Sequence, residues 1–491
     1  MTAREGRETS TRARGRDARA TITTPPKPAH GIASVNSTPA EVVVCGAGIA
    51  GISLAHQLAR AHGMRRIVVV DERPPLTLTS DKSSEAYRNW WPGPDDAMIR
   101  LMNRSIDLLE ELARASSNRF LMNRRGYLWC TADPIRAEDY REYGLKAASE
   151  GAGELRIHTG RVSDPDYRPH VADGWEDQPE GADLILEDML LHQAFPYLGP
   201  DVYAALHTRR CGWLSGQQLG MELLERARAA GVELIEGRVE KVETTGGRIT
   251  GVRITGRSGN RTIATGRFVD AAGPMLAPVA RLLDIELPVS SELHLKTSFE
   301  DHLGVVPRDL PFLIWDDPQR LAWSPEEREA LAESEATRRL TKTLPAGAHM
   351  RPEGRRHMLL LWPYHTGAVP ETFPLEIPDE YTEICLRGLT RVLPGLEAYV
   401  ERLPKPFVDG GYYTMTRENR PLACPLPVEG AFVHGALSGY GLMASSATAE
   451  LCAAHITGAT LPTYAPAFDL TRYEDPAYLA RVESWGEDGQ L

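Results

Sequence analysis

Gly46, Gly48 and Gly51 stand in VVVCGAGIAGISLAHQLA with the spacing GxGxxG, directly after a short β-branched run and at the mouth of a stretch with helical apolar spacing. This arrangement suits a pyrophosphate. The first glycine permits a tight turn, the second lets phosphate approach the backbone, and the third lets helix and strand pack closely. Ile49 and Ala50 open the helix, so their N–H groups face the same anion. Asp71 ends the next apolar run, IVVVDE, near the spacing of about 20 residues at which a carboxylate accepts ribose hydroxyls. Glu72 follows it, so the ribose contact falls on either acid. An acid here disfavours a 2′-phosphate, and hence NADP, without separating NAD from FAD. The bland alternative is a tight turn with no ligand.

A second glycine-rich loop, HGALSGYGLMASSATAELCAAHITG, runs from 434 to 458 and leads into another helical stretch. Such loops also hold anions, and they also serve as plain connectors. The six cysteines form no CxxC pair, so neither a zinc site nor a disulfide framework is expected. No metal site is expected.

The elements that must carry these loops are strands and helices in alternation. VVVC, the helix after it and IVVVDE make one βαβ unit. GQQLGMELLERARAAG reads as a helix, VELIEG and KVETTGGRITGVRITG as strands, and RFVDAAGP closes on another strand. The fold class expected is α/β, a Rossmann-like doubly wound parallel sheet with an inserted α+β substrate domain on a mainly antiparallel sheet. Residues 40–130, 206–290 and 410–460 are assigned to a discontinuous nucleotide-binding domain. Residues 131–205, acidic and loop-rich, and 291–409 are assigned to the substrate domain, and 461–491 to a C-terminal extension. The polar, Arg-rich residues 1–39 lack the apolar content to order themselves and are expected to be a disordered tail.

At 491 residues the chain has room for two or three domains, and a formal net charge of −12 argues against nucleic acid or an anionic membrane as partner. No apolar run reaches the roughly 20 residues of a membrane helix, and no secretory leader is evident. A cytoplasmic location is expected; the oligomeric state is not readable.

Four blocks together resemble the FAD-dependent amine and amino-acid oxidoreductases of the D-amino-acid oxidase superfamily, particularly the sarcosine oxidase and glycine oxidase-like branch. They are the GxGxxG block with IVVVDE, TSDKSSEAYRNWW, the segment from CGWLSGQQLG to FVDAAGP, and YYTMTRENRPLACPLPVEGAFVHGALSGYG. The resemblance implies FAD as cofactor. It places Thr79, Ser80, Lys82 and Ser83 around flavin and pyrophosphate, the backbone of Val239 at adenine, and Ala271, Ala272, Gly273 and Pro274 in a turn beside the dinucleotide. Leu437, Ser438, Gly439, Tyr440 and Gly441, with Leu442 and Met443 following, fall beside the flavin, where a helix N-terminus stabilises the reduced, anionic ring. Thr416, Glu418 and Pro421 match a family turn of the type Thr-x-Asp/Glu-x-x-Pro.

The resemblance further implies that an amine or amino acid, less often an alcohol, gives up a hydride to flavin N5, leaving an imine that hydrolyses. O2 is the expected electron acceptor; the alternative is a dehydrogenase of an amine or 2-hydroxy acid feeding a carrier or quinone. A flavin-binding protein without turnover is the reading from another class. Candidate substrate contacts are Arg88, His365, Tyr413 and Tyr440. Arg88 could fork onto a carboxylate, or be a surface salt bridge. His365 suits an amine proton, or is packed structurally. Trp90, Trp91 and Trp362 line a pocket or are core.

Three departures from sarcosine oxidase-like relatives stand out. Gly411 occupies the position of their flavin-attaching Cys, so FAD is expected to be held non-covalently. Leu361 stands for their oxygen-activating lysine, and Met443 for a lysine that binds substrate carboxylate. Lys296 is a candidate for the missing cation.

Overall fold

The computed structural model describes residues 39–91, 94–257, 259–365 and 367–484. The expected N-terminal tail lies outside the described residues apart from Pro39. The first strand, β1 (Val42–Cys45), is buried on both faces and pairs in parallel with β2 (Ile67–Asp71) on one side and Phe268–Asp270 on the other. Such strands read as unbroken β-branched runs because helices cover both sheet faces. The helix α1 (Ile49–Arg60) connects β1 to β2 and buries Ile52, Leu54 and Leu58. The complete sheet runs Leu422–Pro425, Ala431–Gly435, Phe268–Asp270, β1, β2, Glu233–Glu236, parallel except for its first pair. This is the doubly wound sheet expected, with a three-stranded antiparallel sheet (Arg238–Thr245, Arg248–Gly256, Gly259–Ala264) beside it in sequence.

A second, nine-stranded sheet is mainly antiparallel. Its order is Phe407–Thr416, Val289–Glu300, His357–Leu361, Ala348–Glu353, Phe312–Trp315, Tyr127–Thr131, Ala204–Thr208, Ala182–Ile185, Leu155–His158. The stretch 131–205, read from sequence as loop-rich, supplies two of these strands and the helix Pro134–Ala147. Asp133 caps that helix by accepting from Ile135 N, and Pro134 occupies its first turn, a start that the surrounding acidity obscures.

Alternation divides the side chains of the nine-stranded sheet between two cores. Leu128, Leu313, Trp315, Met350, Leu360 and Phe299 point into one cluster. Tyr127, Phe312 and Ile314 point the other way, into the cluster that also holds Trp91, Tyr440 and α1. This second face looks toward α1 and the parallel sheet.

Candidate active site

A cleft enclosing about 820 Å³ of empty space, its open mouth included, lies at the C-terminal ends of the parallel strands. Gly46 follows β1, Asp71 ends β2, Ala271, Ala272, Gly273 and Pro274 follow Phe268–Asp270, and Ala436 and Leu437 follow Ala431–Gly435; all line it. Ligands of open α/β sheets sit at this edge.

Backbone proximity explains the glycines. Gly46 has φ +112°, and a Cβ there would stand 2.3 Å from the Ala271 carbonyl oxygen; a Cβ on Gly51 would stand 1.9 Å from the Gly46 oxygen. Gly51 therefore lies behind the turn and packs helix on strand, while Gly48, Ile49 and Ala50 face the cleft. The Ile49 N–H donates to Ser80 Oγ at 2.9 Å, so a hydroxyl from a loop 31 residues away caps α1. Asp71 accepts from Ala47 N at 2.7 Å and from Arg73 N at 2.9 Å, and burial raises its carboxyl above the usual range. Glu72 is exposed beside Arg73 and does not line the cleft.

Thr79, Ser80 and Ser83 line the cleft. Thr79 Oγ1 donates to the Tyr412 carbonyl at 2.8 Å. Lys82 instead reaches the antiparallel sheet, donating to Asp409 at 2.6 Å. Lys296 anchors the same segment from the next strand, donating to the carbonyl oxygens of Asp81 at 2.7 Å and Ser83 at 3.4 Å. Val239 is buried in the cluster containing Cys45, Val68 and Val70 and does not line the cleft.

The second loop closes the other side. Ser438, Gly439, Gly441 and Leu442 line the cleft, whereas Tyr440 and Met443 are buried behind it. Ala436 and Ser438 hold positive φ of 53° and 49°, a strained backbone of the kind found at ligand sites. The helix Gly441–Thr457 starts here with no side-chain cap and no acid in its first turn. α1 likewise has no acid in its first turn. Two positive helix ends thus face one cleft in which, among the described lining residues, Asp71 is the one acid. A dinucleotide with a pyrophosphate and a ring that gains negative charge fits this donor set.

Gly411 runs against the segment 79–83: a Cβ there would stand 3.0 Å from the Lys82 Cβ and 3.1 Å from the Thr79 Cα. No cysteine or histidine lines the cleft among the described residues.

The structure gathers the candidate substrate groups unevenly: of Arg88, His365, Tyr413 and Tyr440, Tyr413 lines the cleft and the other three do not. Tyr413 lines the cleft, its ring stacked on His294 at 4.1 Å and close enough to Gly439 that a Cβ there would clash at 2.5 Å. Burial pushes the Tyr413 phenol above its usual range. The Tyr440 hydroxyl is committed to the Asn419 carbonyl, and its ring meets Trp91 edge-on at 5.1 Å. His365 lies among Tyr364 and Tyr381 outside the cleft, with neither ring nitrogen hydrogen-bonded among the described residues; burial, with Arg339 and His294, draws it down to about 4.

Arg88 differs from every surface arginine. It is 6% exposed, yet it makes no ion pair and no side-chain hydrogen bond among the described residues. Its guanidinium rests 4.6 Å from the Trp91 ring and 5.6 Å from Trp129. Burial lowers its pKa, partly offset by Tyr127, Cys211 and Tyr440. An uncompensated buried charge costs several kcal/mol, and a ligand anion would offset that. Trp362 is core, while Trp90 and Trp91 are buried in the cluster shared with α1 and the parallel sheet.

Cleft residues that sequence reasoning missed include Arg73, Pro74, Leu76, Thr77 and Leu78 between Asp71 and Thr79, and Tyr412 and Thr414 beside Tyr413. The strand alternation of YYTMT and its closeness to the glycine loop were the available signal for the last two. Leu76 has φ +65°, and nothing in its residue type announces that.

Fold and site together define a flavin-dependent oxidoreductase. Residues 41–455 match the family described as FAD dependent oxidoreductase, DAO, and the chain belongs to that family. Its cofactor is FAD. Mitochondrial dimethylglycine dehydrogenase of Rattus norvegicus is 24% identical over 277 residues, 52% of this chain and 29% of that protein, so the chain matches under a third of that relative's length. Among solved structures, L-proline dehydrogenase from P. horikoshii superposes with a TM-score of 0.68 at 18% identity, covering 89% of this chain and 98% of the other. Glycine oxidase from Geobacillus kaustophilus gives 0.65 at 16% identity over 89% and 99%. At these identities the superpositions bear on the fold.

Proposed function

We propose that the protein oxidises the C–N bond of an amino acid or related amine to an imine, which water then hydrolyses, with O2 as electron acceptor. The observation that carries the substrate class is Arg88, a buried guanidinium outside the cleft lining and without an ion-pair or hydrogen-bond partner among the described residues: it suits the carboxylate of an amino acid, held as a charge-assisted fork. The proteins similar in sequence or fold are named for dimethylglycine, proline and glycine, each an amine bearing a carboxylate.

In this reading, Gly46, Gly48, Ile49, Ala50, Asp71, Ser80 and the turn at Ala272 and Gly273 would hold the dinucleotide, with the Gly439–Leu442 loop on the flavin side and no covalent bond. When bound, FAD would supply a two-electron acceptor. The chain's own residues bind and orient: Arg88 fixes the carboxylate, Trp91 and Trp129 exclude water around it, and the uncapped Gly441 helix favours negative charge as reduction proceeds. The parallel sheet is thereby the cofactor half and the nine-stranded sheet the substrate half.

The dehydrogenase reading keeps one observation: Leu361, buried and apolar, where sarcosine oxidase-like relatives carry a lysine. Anaerobic mixing of the holoenzyme with amines, amino acids and 2-hydroxy acids tests both. Bleaching by amino acids, with peroxide released on admitting air, is the expected result. Bleaching without peroxide transfers the assignment to a dehydrogenase, and no bleaching by any member rejects turnover of this substrate class. Arg88→Met should lower kcat/KM for carboxylate substrates about 10- to 100-fold, the scale of one charged hydrogen-bonded contact.

A further inference from the structure

The face of the nine-stranded sheet that looks toward Arg88 carries a histidine that the cofactor site does not use. Pairing aligns Leu361 with His349, His349 with Ile314, and Ile314 with Trp129, so the four side chains form one row across four strands. Arg88 lies over the Trp129 end of that row at 5.6 Å. Trp129 Nε1 is buried without a hydrogen-bond partner among the described residues. His349 is 7% exposed, two strand spacings or roughly 10 Å along the row, with Phe312 against it at 5.3 Å.

The His349 tautomer is fixed. Its Nδ1 lies 2.8 Å from the Gly347 carbonyl, which only accepts, so Nδ1 carries the proton and Nε2 presents a lone pair. Burial, with His294 and Arg88 nearby, draws the ring down to about 4, against a smaller upward effect of the Gly347 bond. The imidazole is therefore neutral at physiological pH. The row thus has donors without a partner among the described residues toward one end, Arg88 and the Trp129 indole N–H, and a neutral acceptor two strands away, with the buried Ile314 between them.

Building on the amino-acid reading above, we propose that His349 Nε2 accepts the amine N–H of an amino acid whose carboxylate is held by Arg88 and Trp129. The head group would span the row with a hydrogen bond of about 2.9 Å at each end, lying across the Ile314 side chain. With one N–H held, the nitrogen lone pair is free to form the C=N bond while the α C–H electron pair leaves as hydride; the amine is oxidised and FAD reduced. An unprotonated tertiary amine has no N–H to donate. The site therefore selects primary and secondary amino acids over their N,N-dialkyl counterparts.

The test uses the FAD-loaded protein with matched probes: glycine, N-methylglycine, N,N-dimethylglycine and acetate, and proline, N-methylproline and cyclopentanecarboxylate. Binding is read from the shift of the flavin spectrum and turnover from anaerobic bleaching. In the wild type the amine should tighten binding at least tenfold over the matching carboxylic acid, and the N–H amines should bleach at least tenfold faster than the tertiary ones. His349→Leu should bring both ratios within about twofold of one, His349→Gln should restore most of each, and Arg88→Met should weaken the acids and the amino acids alike. Ratios unchanged in His349→Leu, tertiary amines preferred by the wild type, or no probe shifting the flavin spectrum would each overturn the proposal. Should His349→Leu not retain FAD, His349→Phe carries the same comparison. If no amine bleaches the flavin but the binding ratios behave as stated, oxidation fails while His349 stands as the amine acceptor.

Discussion

Asp270 shows how a single carboxyl is tuned by its place in the sheet. It is fully buried at the end of a parallel strand, accepts from Ala272 N at 3.2 Å through one oxygen, and leaves the other without a partner among the described residues. Burial holds its pKa well above the carboxylate range. A raised native pKa means that the folded protein keeps a proton which the unfolded chain releases above about pH 4, so stability is full below that pH and falls as pH rises toward the native pKa. The slope of that loss is about 1.4 kcal/mol per pH unit. Asp270→Asn preserves the acceptor to Ala272 and removes the titration. Denaturant melts should show the variant more stable at pH 7, with the difference vanishing below about pH 4; an equal gap at both pH values would assign the effect to packing. Arg88 makes the converse case, a charge retained at a cost to stability. Arg88→Met should raise the Tm of the ligand-free protein while weakening carboxylate binding, because it removes a buried cation that has no ion-pair partner among the described residues and keeps most of the apolar stem against Trp91. A fall in Tm would show that stacking on the two indoles outweighs the desolvation of the charge. The sequence displayed Arg88 and its neighbouring tryptophans, but its isolation emerges only once every nearby carboxylate is placed.

Among the elements, the turn after β1 was the most legible because its requirements are local: glycines where the backbone touches itself, a helix immediately after, an acid one strand later. The segment 79–83 was legible in residue type but not in partners. Ser80 caps α1, whereas Lys82 turns away to Asp409, and the strand register that decides this is set by residues over three hundred positions away. Lys296, read from sequence as a spare cation, holds that segment by two carbonyl oxygens. Its pKa is lowered by burial, against the pull of Glu85 and Asp81. Lys296→Met should therefore loosen the segment carrying Ser80 and weaken FAD binding by about 10- to 100-fold, the scale of one or two hydrogen bonds to a charged group. Titration of apoprotein with FAD, followed by flavin fluorescence, measures this, and Lys296→Arg should recover part of it. Unchanged FAD affinity in Lys296→Met would confine the lysine to the antiparallel sheet. The row Leu361–His349–Ile314–Trp129 had no sequence signal, since its members come from four strands spread over more than two hundred residues and share only alternation.

At the scale of the whole molecule, the chain closes on itself through its C-terminal segment. Glu418, in the turn expected from the family resemblance, has a side chain 0% exposed and accepts from Arg472 at 2.8 Å, Tyr473 at 2.8 Å and Tyr478 at 2.9 Å. The neighbouring Asn419 carbonyl takes the Tyr440 hydroxyl, so the short helices after residue 464 brace the turn that supports the glycine loop. Burial pulls the Glu418 pKa up, but Arg472 and the two tyrosines outweigh it and hold the group below its usual range. This contribution is complete above the unfolded pKa of about 4.3 and is lost as pH falls toward the lowered native value. Removing Arg472 reverses the sign, because an unpaired buried carboxylate takes up a proton and then loses stability as pH rises. Arg472→Met should thus cost about 3–5 kcal/mol at pH 7, as for breaking a buried pair from one side, and progressively less below about pH 4. Urea melts of wild type and variant across that range measure the difference. A chain ending at residue 460 should show the same pH dependence with weakened FAD retention, because it loses all three partners of Glu418 at once. If the truncated protein keeps wild-type FAD affinity, the brace stabilises the fold without positioning the flavin loop.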